Sequence, residues 1–161
     1  MARKDLGIHS TSSLQDIDID GQTFTHISGN SNEAVVLFDP AIQSGIVRMD
    51  YLNAGGLVTV GVCEDRVRFV RNEGPDAKAQ ATIVQYNQGG ALQHIGDAIL
   101  GNYDYINKND RVSLELNMDA EPHTLTFFKN DEEQPIYVTK IPAGVRFWAH
   151  VIEDGASFKI L

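Results

Sequence analysis

A single cysteine, Cys63, rules out an internal disulfide, and a chain of 161 residues needs none, since a domain of this length buries roughly two thirds of its unfolded surface. There is no Asn-x-Ser/Thr sequon, the basic start is followed by no apolar signal segment, and no apolar run approaches the length of a membrane span. The expectation is a soluble, cytoplasmic protein. Cations are scarce as well: 13 Lys and Arg against 22 Asp and Glu give a net charge of −9. Such a surface does not neutralise phosphates, so nucleic acid is excluded as a partner, and anionic membranes are repelled. An acidic balance instead steers basic partners inward. Helical periodicity, internal repeats and low-complexity tracts are also missing, which leaves an all-β chain of one domain.

What the chain does contain is clearest between Asp110 and Asp131. Val112, Leu114, Leu116 and Met118 alternate with Ser113, Glu115 and Asn117, the period of a strand with one face on a core and one in water. Leu125 and Phe127 repeat the pattern on the return run Thr124 to Lys129, whose β-branched and aromatic residues suit a pleated surface. Asp119 and Pro122 make the chain reverse between the two runs, and Asn130 and Asp131 end the second.

The same punctuation divides the rest. Residues 1–13 read as a loosely held arm. Asp16, Asp18, Asp20 and Gly21 copy the first half of a calcium loop, but Ile27 stands where a bidentate Glu is required, so the segment reads as a hairpin about Asp20-Gly21 and no metal is expected. Ala34 to Phe38 is a continuous apolar run suited to burial. Strands follow at Ile46 towards Asp50 and at Leu57 to Cys63, then a long loop over 64–81, then short strands at Ala81–Gly90 and Ala91–Gly96. Pro135–Lys140, Val145–Ile152 and Ser157–Leu161 are expected as closing strands. Many short strands with Gly, Pro, Asn and Asp turns describe an antiparallel sandwich or barrel.

A catalytic constellation is hard to find. Cys63 ends an apolar strand, and the five histidines (His9, His26, His94, His123 and His150) lack metal-ligand spacing. Glu132 and Glu133 read as a solvated turn, and Gly55-Gly56 and Gly89-Gly90 as isolated turn pairs with no phosphate-loop pattern. The expectation is a protein that is not an enzyme and carries no cofactor.

The hairpin, with its acidic start, its acidic turn and its Thr-Leu-x-Phe-Phe-Lys-Asn return, resembles the core hairpin of the SPRY-domain family, with Ser113, His123 and Asp131 at positions where that family has Gly. Gly45-Ile46 and Val60-Gly61-Val62 resemble two further strands of that family, and the likeness extends over roughly 45–161. It implies an all-β, two-layer antiparallel β-sandwich, a SPRY-like or concanavalin-like jelly roll, occupying 14–161. It also implies a non-catalytic protein-interaction module that recognises a peptide or protein through rim loops. A lectin-like sandwich that binds carbohydrate through Asn102, Tyr103 and Asp104 is the alternative.

Trp148, the only tryptophan, lies in VRFWAHVI. Alternation sets Val145, Phe147, Ala149 and Val151 on one face and Arg146, Trp148, His150 and Ile152 on the other. If the first set packs the core, Trp148 and Arg146 face outward, although tryptophan in an apolar strand is also ordinary core content. The segment is similar to the V-W-G-H run of one SPRY subgroup, whose Val, Trp and Gly line a peptide pocket. The resemblance therefore places partner contact at Phe147, Trp148 and Ala149, with Tyr103 and Arg71 nearby on the rim.

Overall fold

The computed structural model describes residues 6–161. In chain order the strands are β1 (Gly7–His9), β2 (Ile17–Asp20), β3 (Thr23–His26), β4 (Ala34–Asp39), β5 (Ile46–Gly55), β6 (Thr59–Glu64) and β7 (Ile83–Asn87). They continue with β8 (Leu92–Gln93), β9 (Arg111–Asn117), β10 (Thr124–Lys129), β11 (Glu132–Glu133), β12 (Val145–Val151) and β13 (Ser157–Ile160). Every strand pairing is antiparallel, in a six-stranded sheet ordered β1-β4-β12-β6-β7-β8 and a seven-stranded sheet ordered β11-β10-β9-β5-β13-β3-β2. The only helices among the described residues are short 3-10 turns, at Ser12–Asp16, Pro75–Ala77 and Gln80–Thr82. The fold is a two-layer antiparallel β-sandwich.

The inward faces meet as the alternation requires. Val47, Met49, Tyr51, Val112, Leu114, Leu116, Leu125 and Phe127 from the seven-stranded sheet pack on Val36, Phe38, Val60, Val62, Val84, Tyr86, Phe147 and Ala149 from the six-stranded one. Phe24 stacks on Phe158 with ring centroids 4.9 Å apart, and Tyr86 meets Phe127 edge-on at the same separation, so aromatic pairs close both ends of this layer. The Tyr51 hydroxyl crosses the core to donate to the Trp148 carbonyl at 2.8 Å, which satisfies a polar group that burial would otherwise penalise.

The central hairpin is β9 and β10, in the register Leu116 opposite Leu125 and Leu114 opposite Phe127. At its far end β10 turns into β11 through Asn130 and Asp131, which both adopt positive φ, at 49° and 68°, the backbone that a two-residue hairpin turn demands. Side-chain bonds hold them there. Asn130 accepts from the Arg111 amide at 2.8 Å, and Asp131 pairs with both Arg111 and Arg48. Asp131 can therefore stand at this turn in place of glycine.

Three expectations need correction. The strand expected from Ile46 towards Asp50 runs on to Gly55, with Asn53 buried and bonded to the Tyr105 carbonyl and to the amides of Gly55 and Leu57. Pro135–Lys140 is no strand: Pro135 has no amide to donate, Lys140 lies at φ 58°, and only Val138 bridges, to Leu125. The arm expected over 1–13 is held from Gly7 onward. There β1 pairs with β4, and the buried Ser13 hydroxyl accepts the Val35 amide at 2.8 Å; residues 1–5 of that arm lie outside the described residues.

Candidate functional site

Site geometry begins with the outward face of the six-stranded sheet. Val35, Leu37, Cys63, Ile83 and Trp148 project there, and the segment between β6 and β7 folds back so that Phe69 and Val67 cover them. Trp148 is fully buried, its indole tilted 47° against the Phe69 ring at 6.4 Å. Gly61 makes the seat. A Cβ there would lie 1.8 Å from the Val84 carbonyl oxygen and 2.9 Å from Trp148 Cζ2, so only glycine lets the indole lie down on the sheet.

Two polar clamps hold the covering segment. Arg71 donates from Nε and Nη2 to the two carboxylate oxygens of Asp16, at 3.1 and 2.9 Å. Asp16 is itself buried, and the guanidinium, helped by Ser28, Asn30 and Asn32, holds its carboxyl well below the usual carboxylate range against the opposing effect of burial. Lys78 lies 5.1 Å from the Phe69 ring centroid and bonds Glu73 at 2.6 Å. Of the aspartates that mimic a calcium loop, Asp16 is taken by Arg71 while Asp18 and Asp20 point into solvent along the β2–β3 hairpin.

The expected cluster of contact residues does not assemble. Alternation places Trp148 on the outward face correctly, but the 65–82 segment covers that face, so Trp148 is core and presents no rim surface. Phe147 and Ala149 are buried between the sheets. Arg71 is committed to Asp16, and Arg146 is tied to the Asp39 carboxylate and the Asp65 carbonyl. Arg71 is exposed although its guanidinium is bonded to Asp16, and Tyr103 is open to contact, being 55% exposed. It lines a groove with Thr124, Thr126, Pro135 and Tyr137, at the β10–β11 side of the seven-stranded sheet. Asn102 beneath it is buried and exchanges reciprocal bonds with Ile136, at 3.0 and 2.9 Å, and the Tyr103 amide donates to Gln134 Oε1 at 2.6 Å. Asn102 is therefore spent on pinning the loop and is withdrawn from any Asn-Tyr-Asp sugar site.

Five of the ten exposed large hydrophobic side chains among the described residues fall in this one loop: Ile95, Ile99, Leu100, Tyr103 and Ile106. Nothing in their spacing signals exposure, because the segment has no strand or helix period.

The same loop also borders, through Ala98, a pocket of about 300 Å³ that sequence reasoning missed. Glu33, Thr59, Asp76, Gln85, Gln93 and His150 line it. His150 is the next outward residue after Trp148, so alternation puts it on this face, but Glu33 and Asp76 come from patternless loops. His150 Nε2 lies 3.2 Å from Glu33 Oε1 without the direction of a hydrogen bond, and neither ring nitrogen has a hydrogen-bond partner. Burial pushes the imidazole pKa down to about 4, with Asp76 pulling the other way. Burial and the neighbouring Asp76 both raise Glu33. Gly74 sits where its Cβ would meet Glu33 Oε1 at 2.1 Å, so the loop that carries Asp76 closes directly on Glu33.

Nucleophilic chemistry has little to work with. Cys63 is enclosed and its thiol is pushed up to about 12 by burial. No group of three or more His, Cys, Asp or Glu among the described residues could hold a metal ion.

No protein-family model and no curated protein sequence matches the chain. Solved structures do. The SPRY domain of human HERC1 superposes with a TM-score of 0.71 at 19% identity, over 96% of this chain and 96% of that one. The TRIM65 PSpry domain gives 0.73 at 14% identity, over 99% and 90%. Stonustoxin gives 0.70 at 14% identity, over 99% of this chain but 27% of that much longer one. The likeness is one of fold: the protein is a SPRY-like β-sandwich.

Proposed function

We propose that the protein is a non-catalytic interaction module that binds a protein or peptide partner through the loop of residues 95–106. The exposure of Ile95, Ile99, Leu100, Tyr103 and Ile106 in that one loop, with Tyr137 beside Tyr103, carries this reading. Concentrated apolar exposure of this kind marks contact surfaces, and tyrosine is favoured at binding hot spots. The bonds of Asn102 and Gln134 fix the loop on the sandwich, which lowers the ordering cost of binding. The similarity to SPRY domains agrees with an interaction role.

The test is affinity capture from the native cell with Leu100→Asp and Tyr103→Ser beside the parent protein. Captured partners should be lost in both variants while the melting temperature holds. Equal capture by all three proteins would overturn the reading, as would saturable binding to a glycan array that the variants abolish.

A further inference from the structure

The pocket beside the loop has a chemistry of its own. Its charged groups are Glu33 and Asp76, and among the described residues neither is paired with a lysine or arginine. Gln85 turns its amide nitrogen to Asp76 Oδ1 at 3.1 Å, and Gln93 turns its own to the Gly96 carbonyl at 2.6 Å, so the amide oxygens are what these side chains have left to offer. Below them His150, with 5% of its side chain exposed, closes the floor with both ring nitrogens lacking a hydrogen bond. Two carboxylates and several acceptors thus converge with no donor-rich group among them. The carboxylates reach water and the His150 nitrogens do not, so a multiply donating cation seated here gains charged acceptors above an unpartnered imidazole. The volume admits one long side chain rather than an extended segment.

We propose that this pocket receives the ammonium or guanidinium of a lysine or arginine on the protein partner, with Glu33 and Asp76 as counter-ions above His150. The inference rests on the reading of the protein as an interaction module and names the side chain its partner must bring. It also gives the acidic balance of the chain a local address, since steering by a net charge of −9 is most useful where the field ends on paired carboxylates.

The experiment is an NMR titration of the isotope-labelled protein with three capped tripeptides, Gly-Arg-Gly, Gly-Lys-Gly and the neutral isostere Gly-citrulline-Gly. The His150 ring resonance, assigned by comparison with His150→Gln, is the readout. The two cationic peptides should move it saturably, the citrulline peptide should bind about tenfold or more weakly, and Glu33→Gln and Asp76→Asn should each weaken the cationic response to a similar degree. An unmoved His150 with both cationic peptides, or an equal response to citrulline, would overturn the proposal. If that happens while Leu100→Asp still abolishes partner capture, the pocket is refuted and the interaction module stands. A saturable cationic response alongside unchanged capture in the loop variants would support the pocket and refute the loop.

Discussion

On the seven-stranded sheet the outward positions Arg48, Asp50, Glu115 and Phe128 lie at least partly in water, whereas on the six-stranded sheet the outward positions Val35, Leu37, Cys63 and Trp148 are sealed under protein. β5 shows the one-sided pattern, alternating buried and half-buried along most of its length; β4 is buried at five consecutive positions. On the bare face the Arg48 guanidinium lies 4.4 Å from the Phe128 centroid and is bonded to Asp50 at 2.8 Å. The covered face has a second apolar core. The two sheets and the covering segment therefore make three layers with two apolar interfaces, one between the sheets and one under the 65–82 segment.

The sharpest way to break this contrast is on the bare sheet. Leu116→Asp puts an unpaired carboxylate into the central layer and should cost about 4 kcal/mol or prevent folding. Asn117→Asp, its neighbour on the outward face, keeps an oxygen for the amides of Asp119 and Ala120 and should melt close to the parent. Thermal melts that coincide would refute the register.

The next test compares outward positions on the two sheets. Trp148→Ala should cost about 3 to 5 kcal/mol, the loss expected of a core aromatic. Arg48→Ala should cost about 1 kcal/mol or less. Tryptophan emission should be blue-shifted and shielded from quencher in the parent, and Gly61→Ala should expose it by unseating the indole. Solvent-like emission in the parent would strip the covered face of its second core.

Acid titration probes the same face through His150. Its folded pKa of about 4 lies below the ordinary value of 6.5, so the unfolded chain binds the extra proton first. Stability is then fully present above about pH 6.5 and falls by about 3 kcal/mol as pH drops to about 4. Asp16, Asp39 and Glu73, all lowered, lose their contributions only as the carboxylates themselves protonate, and the raised Glu33 works in the opposite sense. His150→Gln should flatten the decline between pH 6.5 and 5; an unchanged slope would exclude His150 as its source. The smallest expected effect is none at all: calcium or a chelator should leave the melting temperature unmoved, because Asp16 is engaged by Arg71.

How much the chain disclosed in advance follows the same division. One-sided strands announce themselves, so the Arg111–Lys129 hairpin and its inward set are legible residue by residue. Two-sided burial hides direction. Ala34 to Phe38 reads as a buried run, and that run already implies that both faces of its sheet are covered, β12 included; Trp148 beside it belongs to the same covered surface. The cover is illegible because 65–82 carries no period; of its anchors, Phe69 and Lys78 carry no signal in the sequence, and Arg71 reads as a rim contact where the structure turns it to Asp16. The pocket is less legible still. Glu33, Asp76 and His150 are brought together only by tertiary folding, and neither carboxylate carries a motif.

The place of β12 and β13 in their sheets has a consequence for how the molecule comes into being. β12 is the strand that joins β4 to β6, and β13 the strand that joins β5 to β3. During synthesis every earlier strand leaves the ribosome while both sheets are still split down the middle. The apolar edges of β4 and β6 must wait, unpaired, for residues 145–151, and β3 and β5 for residues 157–160. Closure of both sheets thus waits until residues 145–160 have emerged, and it is dominated by contacts distant in sequence, which slow folding. Until then the nascent domain presents unpaired strand edges, and this is the interval in which chaperones would be needed most.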